Sequence, residues 1–488
     1  MEEGVPKGGA PERGEGGALR LVFVAALLAG ALARLLLALR RPVWADEVFT
    51  LDLARRSFAG LFAALRLDSG PPLHYVVAKL LLVPFPSPGE ADILVRLLSV
   101  AASLLHVPLL LRIARCSRAP RAGLAAAALF LLFPLAVSSA AEGRGYALAS
   151  LLALAAFERL LALAEAPRSR TAVVAGLLGG AACLVHYLAL LPVGGALLAA
   201  VARGRARRLV LVAGGVAALA AATWLPVVLH QPRASMAWAG SRPLGERALQ
   251  VGANLGLGLP SAPGTARLAG PLALGLLAVA LARRGTARIP AAAPLVAGAL
   301  LLGPLVLFSG SALLPDRTAL VLLPLVALVF AEARPRVLPA AATVASAVVL
   351  AASIPGWLRE TPAGELARTL APEVRRGARV VAAELWGPEL DYRLAREGLA
   401  GRVTLFPSDV ERHPGWYVDG LLPEGRARDE AAAVVGSVRR RTYFVLSPST
   451  RAGRALAGRL SLAGARRVAA PGPFEVWAAG PPAGRGGR

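Results

Sequence analysis

LRLVFVAALLAGALARLLLAL, residues 19–39, is apolar but for Arg20 and Arg34; RRPV (residues 40–43) and the tetrad Trp44-Ala45-Asp46-Glu47 follow it directly. At about 1.5 Å of rise per residue the run spans the roughly 30 Å of a bilayer's hydrocarbon core. Two adjacent carboxylates at the mouth of such a helix do nothing for its insertion. An ionised side chain at a membrane boundary costs free energy unless water, a cation or a reacting group meets it. A solvated loop start is one reading of the pair and a reaction centre is the other.

The composition places the run in a larger pattern. The 488 residues are 56% hydrophobic and 17% charged, and several apolar runs exceed about eighteen residues, which marks a polytopic membrane protein. The formal charge of +24 is almost all arginine. In a soluble domain that balance would point to nucleic acid. Here the arginines gather in short loops between apolar runs, where they act as topology signals and lipid-headgroup contacts. No nucleic-acid motif accompanies them. The two cysteines, Cys116 and Cys183, give neither a disulfide framework nor a zinc site. Residues 1–18 read as a disordered Gly-, Pro- and Glu-rich tail, and the span after them as an anchor instead of a removable signal.

About eleven transmembrane helices are expected, at 19–39, 93–114, 122–141, 146–165, 171–187, 188–202, 209–229, 268–282, 291–308, 318–332 and 337–354. Alternate loops carry Arg112 to Arg121, Arg168 and Arg170, Arg203 to Arg208, Arg283 to Arg288, and Arg334 with Arg336. All fall on one side, which makes that side and the N-terminus cytoplasmic in the cell (inner) membrane. Arg40 and Arg41 depart from the pattern. The acids Asp46, Glu47, Asp52, Asp68, Glu90, Asp92, Glu142, Glu246 and Asp316 map to the opposite face. Between Arg40 and Glu90, amphipathic patches such as Val48 to Leu67 suit helices lying at the interface.

After Trp357 the chain changes character. Short β-like runs (Arg379 to Leu385, Val403 to Phe406, Thr442 to Leu446, Phe474 to Ala478) alternate with helical stretches such as Glu389 to Glu397 and Ala452 to Leu462. A small extracytoplasmic α/β domain at 373–480 is expected, beyond a transmembrane domain at 19–357 and before a frayed tail at 481–488.

Three outer-face clusters carry the residues of chemical interest. They are Asp46-Glu47, the turn Asp68-Ser69-Gly70-Pro71-Pro72-Leu73-His74-Tyr75, and Glu142-Gly143-Arg144-Gly145-Tyr146. The prolines forbid a regular helix before Leu73 and leave His74 and Tyr75 at the entry of the next one. Arg144 between two glycines is a guanidinium expected to have little steric cover, suited to a phosphate, with the Tyr146 hydroxyl beside it. His186-Tyr187 closes the fifth span on the same face, and His230 to Arg267 forms a long glycine-containing outer loop.

This ordered set resembles the GT-C integral-membrane glycosyltransferases, in particular the family 39-like bacterial relatives of the dolichyl-phosphate-mannose protein mannosyltransferases and of the aminoarabinose lipid A transferase. The resemblance covers roughly residues 20–360. It rests on Asp46-Glu47, the turn Gly70-Pro71-Pro72-Leu73, Arg96 in the second span and Glu142-x-Arg144-x-Tyr146, with Asp316-Arg317 a weaker fifth match. Many relatives place a histidine before the proline pair, whereas here Ser69-Gly70 precede it and His74 follows.

The resemblance implies a polyprenyl-phosphate-linked sugar donor, membrane lipids around it, and a hydroxyl acceptor on lipid, glycan or protein at the outer face. A hydroxyl is a poor nucleophile and needs a base, a part worth on the order of 10²–10⁴ in rate. The phosphate leaving group needs positive charge more than an acid. By match to the family's first acid Asp46 is the candidate general base, with Glu47 orienting it or binding a cation. Arg144 and Arg317 are the candidate phosphate ligands; Tyr146, Glu142, Arg96, His74 and His186 complete the substrate-binding set. Two acids and a histidine leave a divalent metal open as the only cofactor, although their spacing is no metal signature. Two rivals come from other classes. A transporter or flippase of lipid-linked sugars should show midplane charges in matching halves, for which Glu158 is the main candidate. A silent scaffold would use the outer domain to bind a partner.

Overall fold

The computed structural model describes residues 13–68, 70–84, 88–231, 243–257, 266–282, 290–309, 315–333, 337–384, 386–412, 422–470 and 472–480. The molecule is mainly helical. Among the described residues four helices are long and apolar enough to cross a bilayer: Gly17–Arg40, Ala91–Cys116, Tyr146–Glu165, and the helix beginning at Val337, which runs through a short break after Trp357 into Pro362–Arg375. Pro120–Leu132 and Pro134–Ala140 make a fifth if taken as one span bent by 61°. Ser169–Val185, Leu190–Ala202 and Arg207–Ala222 pack beside them; at 17 residues the first rises about 25 Å.

The bend explains an oddity of the first span. Pro134 has no N–H, so the carbonyl of Phe130 loses its partner one turn on. The buried guanidinium of Arg34 fills the gap, donating to Leu131 O at 2.7 Å, Phe130 O at 3.4 Å, Gly30 O at 3.0 Å and Ser103 Oγ at 2.9 Å. An intramembrane charge is thus spent on freed backbone. Glu158 is likewise engaged, by Arg112 Nε at 2.7 Å and by its neighbour Arg159.

Between the first two spans the chain forms three helices too short to cross: Ala45–Arg55, Phe58–Leu65 and Leu73–Leu82. Ser57 separates the first two and caps the second, its hydroxyl accepting from Gly60 N at 3.1 Å. Phe49, Leu53, Leu61, Leu65, Tyr75 and Trp224 form one apolar cluster under them.

The last part holds a five-stranded sheet of β1 (Arg379–Ala383), β2 (Val403–Phe406), β3 (Thr442–Leu446), β4 (Arg466–Ala469) and β5 (Glu475–Ala479) in the order β2-β1-β3-β5-β4. β1 runs parallel to β2 and β3; β5 is antiparallel to β3 and β4. Alternation along the strands separates two cores. Val380, Ala382, Tyr443 and Val445 pack on the helices Pro362–Arg375 and Trp386–Arg396, while Val381, Ala383, Phe444 and Leu446 pack on Glu424–Gly436 and Arg451–Leu462. Helix Trp386–Arg396 also faces the membrane part. Its Tyr392 shares an apolar cluster with Val43, Val48, Leu51, Leu82 and Val95.

Candidate active site

Asp46 and Glu47 lie in the first turn of helix Ala45–Arg55, where the exposed N–H groups favour negative charge. Neighbours on a helix are about 100° apart, so the two carboxylates diverge. Their surroundings give them different fates.

Glu47 is saturated. Its oxygens accept from Arg96 Nε at 2.7 Å and Nη2 at 2.6 Å, from Gly143 N at 2.8 Å and, reaching back, from Trp44 N at 3.4 Å. Four donors match the four lone-pair positions of a carboxylate. Arg96 is equally committed: beyond Glu47 it donates to Ala38 O at 3.2 Å, Arg41 O at 2.7 Å and Pro42 O at 3.2 Å, which uses all five N–H groups. Neither has capacity left for a substrate. This guanidinium, expected in the substrate-binding set, ties the second span to the loop that enters the site.

Asp46 stands against Arg144 instead, Oδ2 lying 3.8 Å from Nη2. Arg144 Nη1 donates to Asp46 O at 3.2 Å, Thr50 Oγ1 at 3.4 Å and Tyr75 OH at 3.4 Å, and the guanidinium lies 5.9 Å from the centre of the Tyr146 ring. Every one of these contacts is longer than the pair Arg96 makes with Glu47. Burial works against the charge on Arg144, but Tyr75, Tyr146 and Asp46 outweigh it and hold the guanidinium well above its ordinary pKa. A side-chain hydrogen bond with Tyr146 adds to these, and the result is a permanent cation within reach of one carboxylate.

The expectation of an uncovered guanidinium is corrected. Arg144 is buried, and its two glycines serve close packing. A Cβ on Gly145 would stand 2.9 Å from Val185 Cγ1 and 3.0 Å from His74 Cβ; one on Gly143 would stand 3.2 Å from Val95 Cγ1. Ser99 Oγ donates to Arg144 O at 3.1 Å and fixes the turn from the second span.

His74 is buried with Nε2 3.2 Å from Gly143 O. A carbonyl only accepts, so Nε2 carries the proton and Nδ1 keeps a lone pair, which has no protein partner. Burial first and Arg144 second lower its pKa to about 4 against the Gly143 contact, which leaves a neutral imidazole. Glu142 pairs with Arg41 at 2.9 Å, and Arg41 also donates to Ser138 O at 3.1 Å. Burial pushes the Glu142 carboxyl up, Arg41 pulls it down, and Glu47 and Asp46 push it up again. The arginine that breaks the charge pattern of the loops is therefore the partner of an outer-face acid.

His186 accepts from Leu188 N at 3.2 Å, caps the short turn Tyr187–Ala189 and sets its ring 5.2 Å from that of Tyr146. Arg317 belongs to helix Pro315–Ala331, but its side chain lies outside the described residues, as do residues 232–242 and 258–265 of the outer loop. Thr50 was absent from the sequence reading, although it lies one turn from Asp46 and donates to Asp46 O at 3.1 Å.

A divalent ion does not fit these donors. Glu47 has no lone pair to spare, Asp46 faces a cation, and among the described residues no three His, Cys, Asp or Glu side chains are grouped to hold a metal.

No family model matches the chain, nor does any curated protein. Solved structures do resemble it. ArnT from Cupriavidus metallidurans, bound to undecaprenyl phosphate, is 16% identical at a TM-score of 0.47, with 96% of this chain and 100% of that one covered. Its apo form gives 17% and 0.49 over the same shares. The archaeal oligosaccharyltransferase AglB from Archaeoglobus fulgidus, in complex with an inhibitory peptide and a dolichol-phosphate, is 12% identical at 0.46, covering 89% of this chain and 70% of that one. Both are glycosyltransferases of the GT-C fold.

Proposed function

We propose that this chain is an integral-membrane glycosyltransferase that moves a sugar from a polyprenyl-phosphate donor to a hydroxyl acceptor at the extracytoplasmic face. One observation carries the reading: of two adjacent acids, Glu47 is fully bound by Arg96 and Gly143, while Asp46 lies 3.8 Å from the buried guanidinium of Arg144. A carboxylate beside a permanent cation is what transfer from a phosphate requires. One ArnT structure holds undecaprenyl phosphate and one AglB structure a dolichol-phosphate, lipid phosphates like the carrier of the donor proposed here.

The acceptor oxygen attacks the anomeric carbon as its proton passes to Asp46, and the bond from that carbon to the phosphate oxygen breaks. The bonding pair stays on the phosphate. Its added charge falls beside Arg144, with the Tyr75 and Tyr146 hydroxyls as further donors. No strong acid is needed, since the leaving group is stable as an anion. Glu47, Arg96 and Ser99 hold the geometry, and Glu142 with Arg41 balances the neighbouring charge. The transmembrane unit is taken as 19–357 and the outer α/β unit as 373–480.

Arg144 variants test this. Arg144→Ala should lower kcat/KM for the phosphate-linked donor about a hundredfold, and Arg144→Lys should recover only part, since the planar fork is lost. Initial rates across donor concentrations check it. An alanine variant that matches the parent throughout would leave Arg144 a structural cation.

A further inference from the structure

We infer that Arg393, carried by the α/β unit, is a positioning residue for Asp46, a role that rests on the reading of Asp46 as the base. Val43 immediately precedes Trp44, the residue from which helix Ala45–Arg55 starts, and Trp44 supplies no side-chain hydrogen bond to cap it. Glu47 holds Trp44 N at 3.4 Å from within the helix, and the backbone just before it is held from outside. Arg393 Nη2 donates to Val43 O at 2.6 Å. On the opposite side Arg96 takes Arg41 O at 2.7 Å and Pro42 O at 3.2 Å. Three successive carbonyls are each held by a guanidinium, one from the second span and one from beyond the membrane unit.

Arg393 is itself held. Glu360 Oε1 lies 3.1 Å and Glu389 Oε1 3.8 Å from Nη2, and Thr361 Oγ1 donates to Glu389 Oε1 at 2.5 Å. Two contacts keep its helix, Trp386–Arg396, on the membrane part. Arg396 pairs with buried Asp92 at 3.1 Å, and Tyr392 enters the apolar cluster containing Val43, Val48 and Leu51. A shift of Val43 is passed along three residues of chain to Asp46, whose carboxylate must meet the acceptor hydroxyl within a few tenths of an ångström. The α/β unit thus completes the active site instead of serving as a separable module.

The test uses the full chain in detergent. Hydrogen exchange of peptides covering residues 41–50 is measured beside transfer kinetics for Arg393→Ala and Arg393→Lys, each also combined with Asp46→Asn. Arg393→Ala should speed exchange at 41–50 and lower kcat about tenfold to a hundredfold with donor KM unchanged. Lysine, which can still donate to Val43 O, should restore most of both. In the Asp46→Asn background Arg393→Ala should cost nothing more, because the residue acts through Asp46. Unchanged exchange at 41–50 would overturn the proposal, and so would a loss in the Asp46→Asn background equal to that in the parent, the mark of a contact that only secures the fold. A parent that transfers no sugar while its 41–50 exchange follows Arg393 would fault the proposed reaction and uphold the clamp.

Discussion

At the scale of single residues, the site is a division of labour between like side chains. Asp46 and Glu47 differ by one methylene and one position, yet one faces the Arg144 guanidinium at 3.8 Å and the other is closed off by four donors. Arg96 and Arg144 divide in the same way. His74 adds a neutral imidazole, and its burial has a measurable sign. In the unfolded chain it takes up a proton near 6.5, in the folded protein only at about 4. Between those values the unfolded state binds more protons, so stability falls as pH falls through this window. The wild type should lose thermal stability from pH 6.5 to 4 more steeply than His74→Gln; equal slopes would show that His74 is not buried as the neutral form. The sequence could bring these residues into view, since acids, arginines and prolines at a membrane face are conspicuous by type. It could not apportion them. Whether Glu47 or Asp46 is bound depends on Arg96, a span away, and on the backbone N–H of Gly143. Arg41 looked like an exception until Glu142, 101 residues on, supplied its partner.

At the scale of elements, legibility follows the reach of the forces involved. Helices set by apolar composition were readable, and each expected span is helical in the structure, though only four or five meet the length and hydropathy of a crossing helix among the described residues. The break at Phe133 was not anticipated, because 122–141 is apolar throughout and its bend needs both Pro134 and the rescuing Arg34 from another helix. β1, β2, β3 and β5 lie on the short β-like runs of the sequence. β4 has no such run: Arg466 and Arg467 open it, and it lies exposed at the sheet's edge, where no core demands apolar residues. The glycines around Arg144 were misread for a similar reason. Gly145 admits the close approach of His74 and Val185 and Gly143 that of Val95, which only the packed elements reveal.

At the scale of the whole molecule, one carboxylate is surrounded by segments drawn from residues 41–50, 74–75, 96–99 and 142–146, with Arg393 from beyond the spans closing the entry loop. We propose that the arginine-bearing loops orient this assembly with the site outside. A reporter fused after Trp357 should accordingly read as external and one after Arg205 as internal; a cytoplasmic signal after Trp357 would place the site on the wrong side for an outer-face acceptor. The central claim, that Asp46 takes the acceptor's proton, is tested most directly by single-turnover transfer with purified Asp46→Asn, donor binding being measured on the same sample. The amide is nearly isosteric but cannot accept that proton. The variant should bind the polyprenyl-phosphate sugar as the parent does and transfer it about a hundredfold or more slowly. Transfer at the parental rate would contradict the account and return Trp44-Ala45-Asp46-Glu47 to a structural helix start.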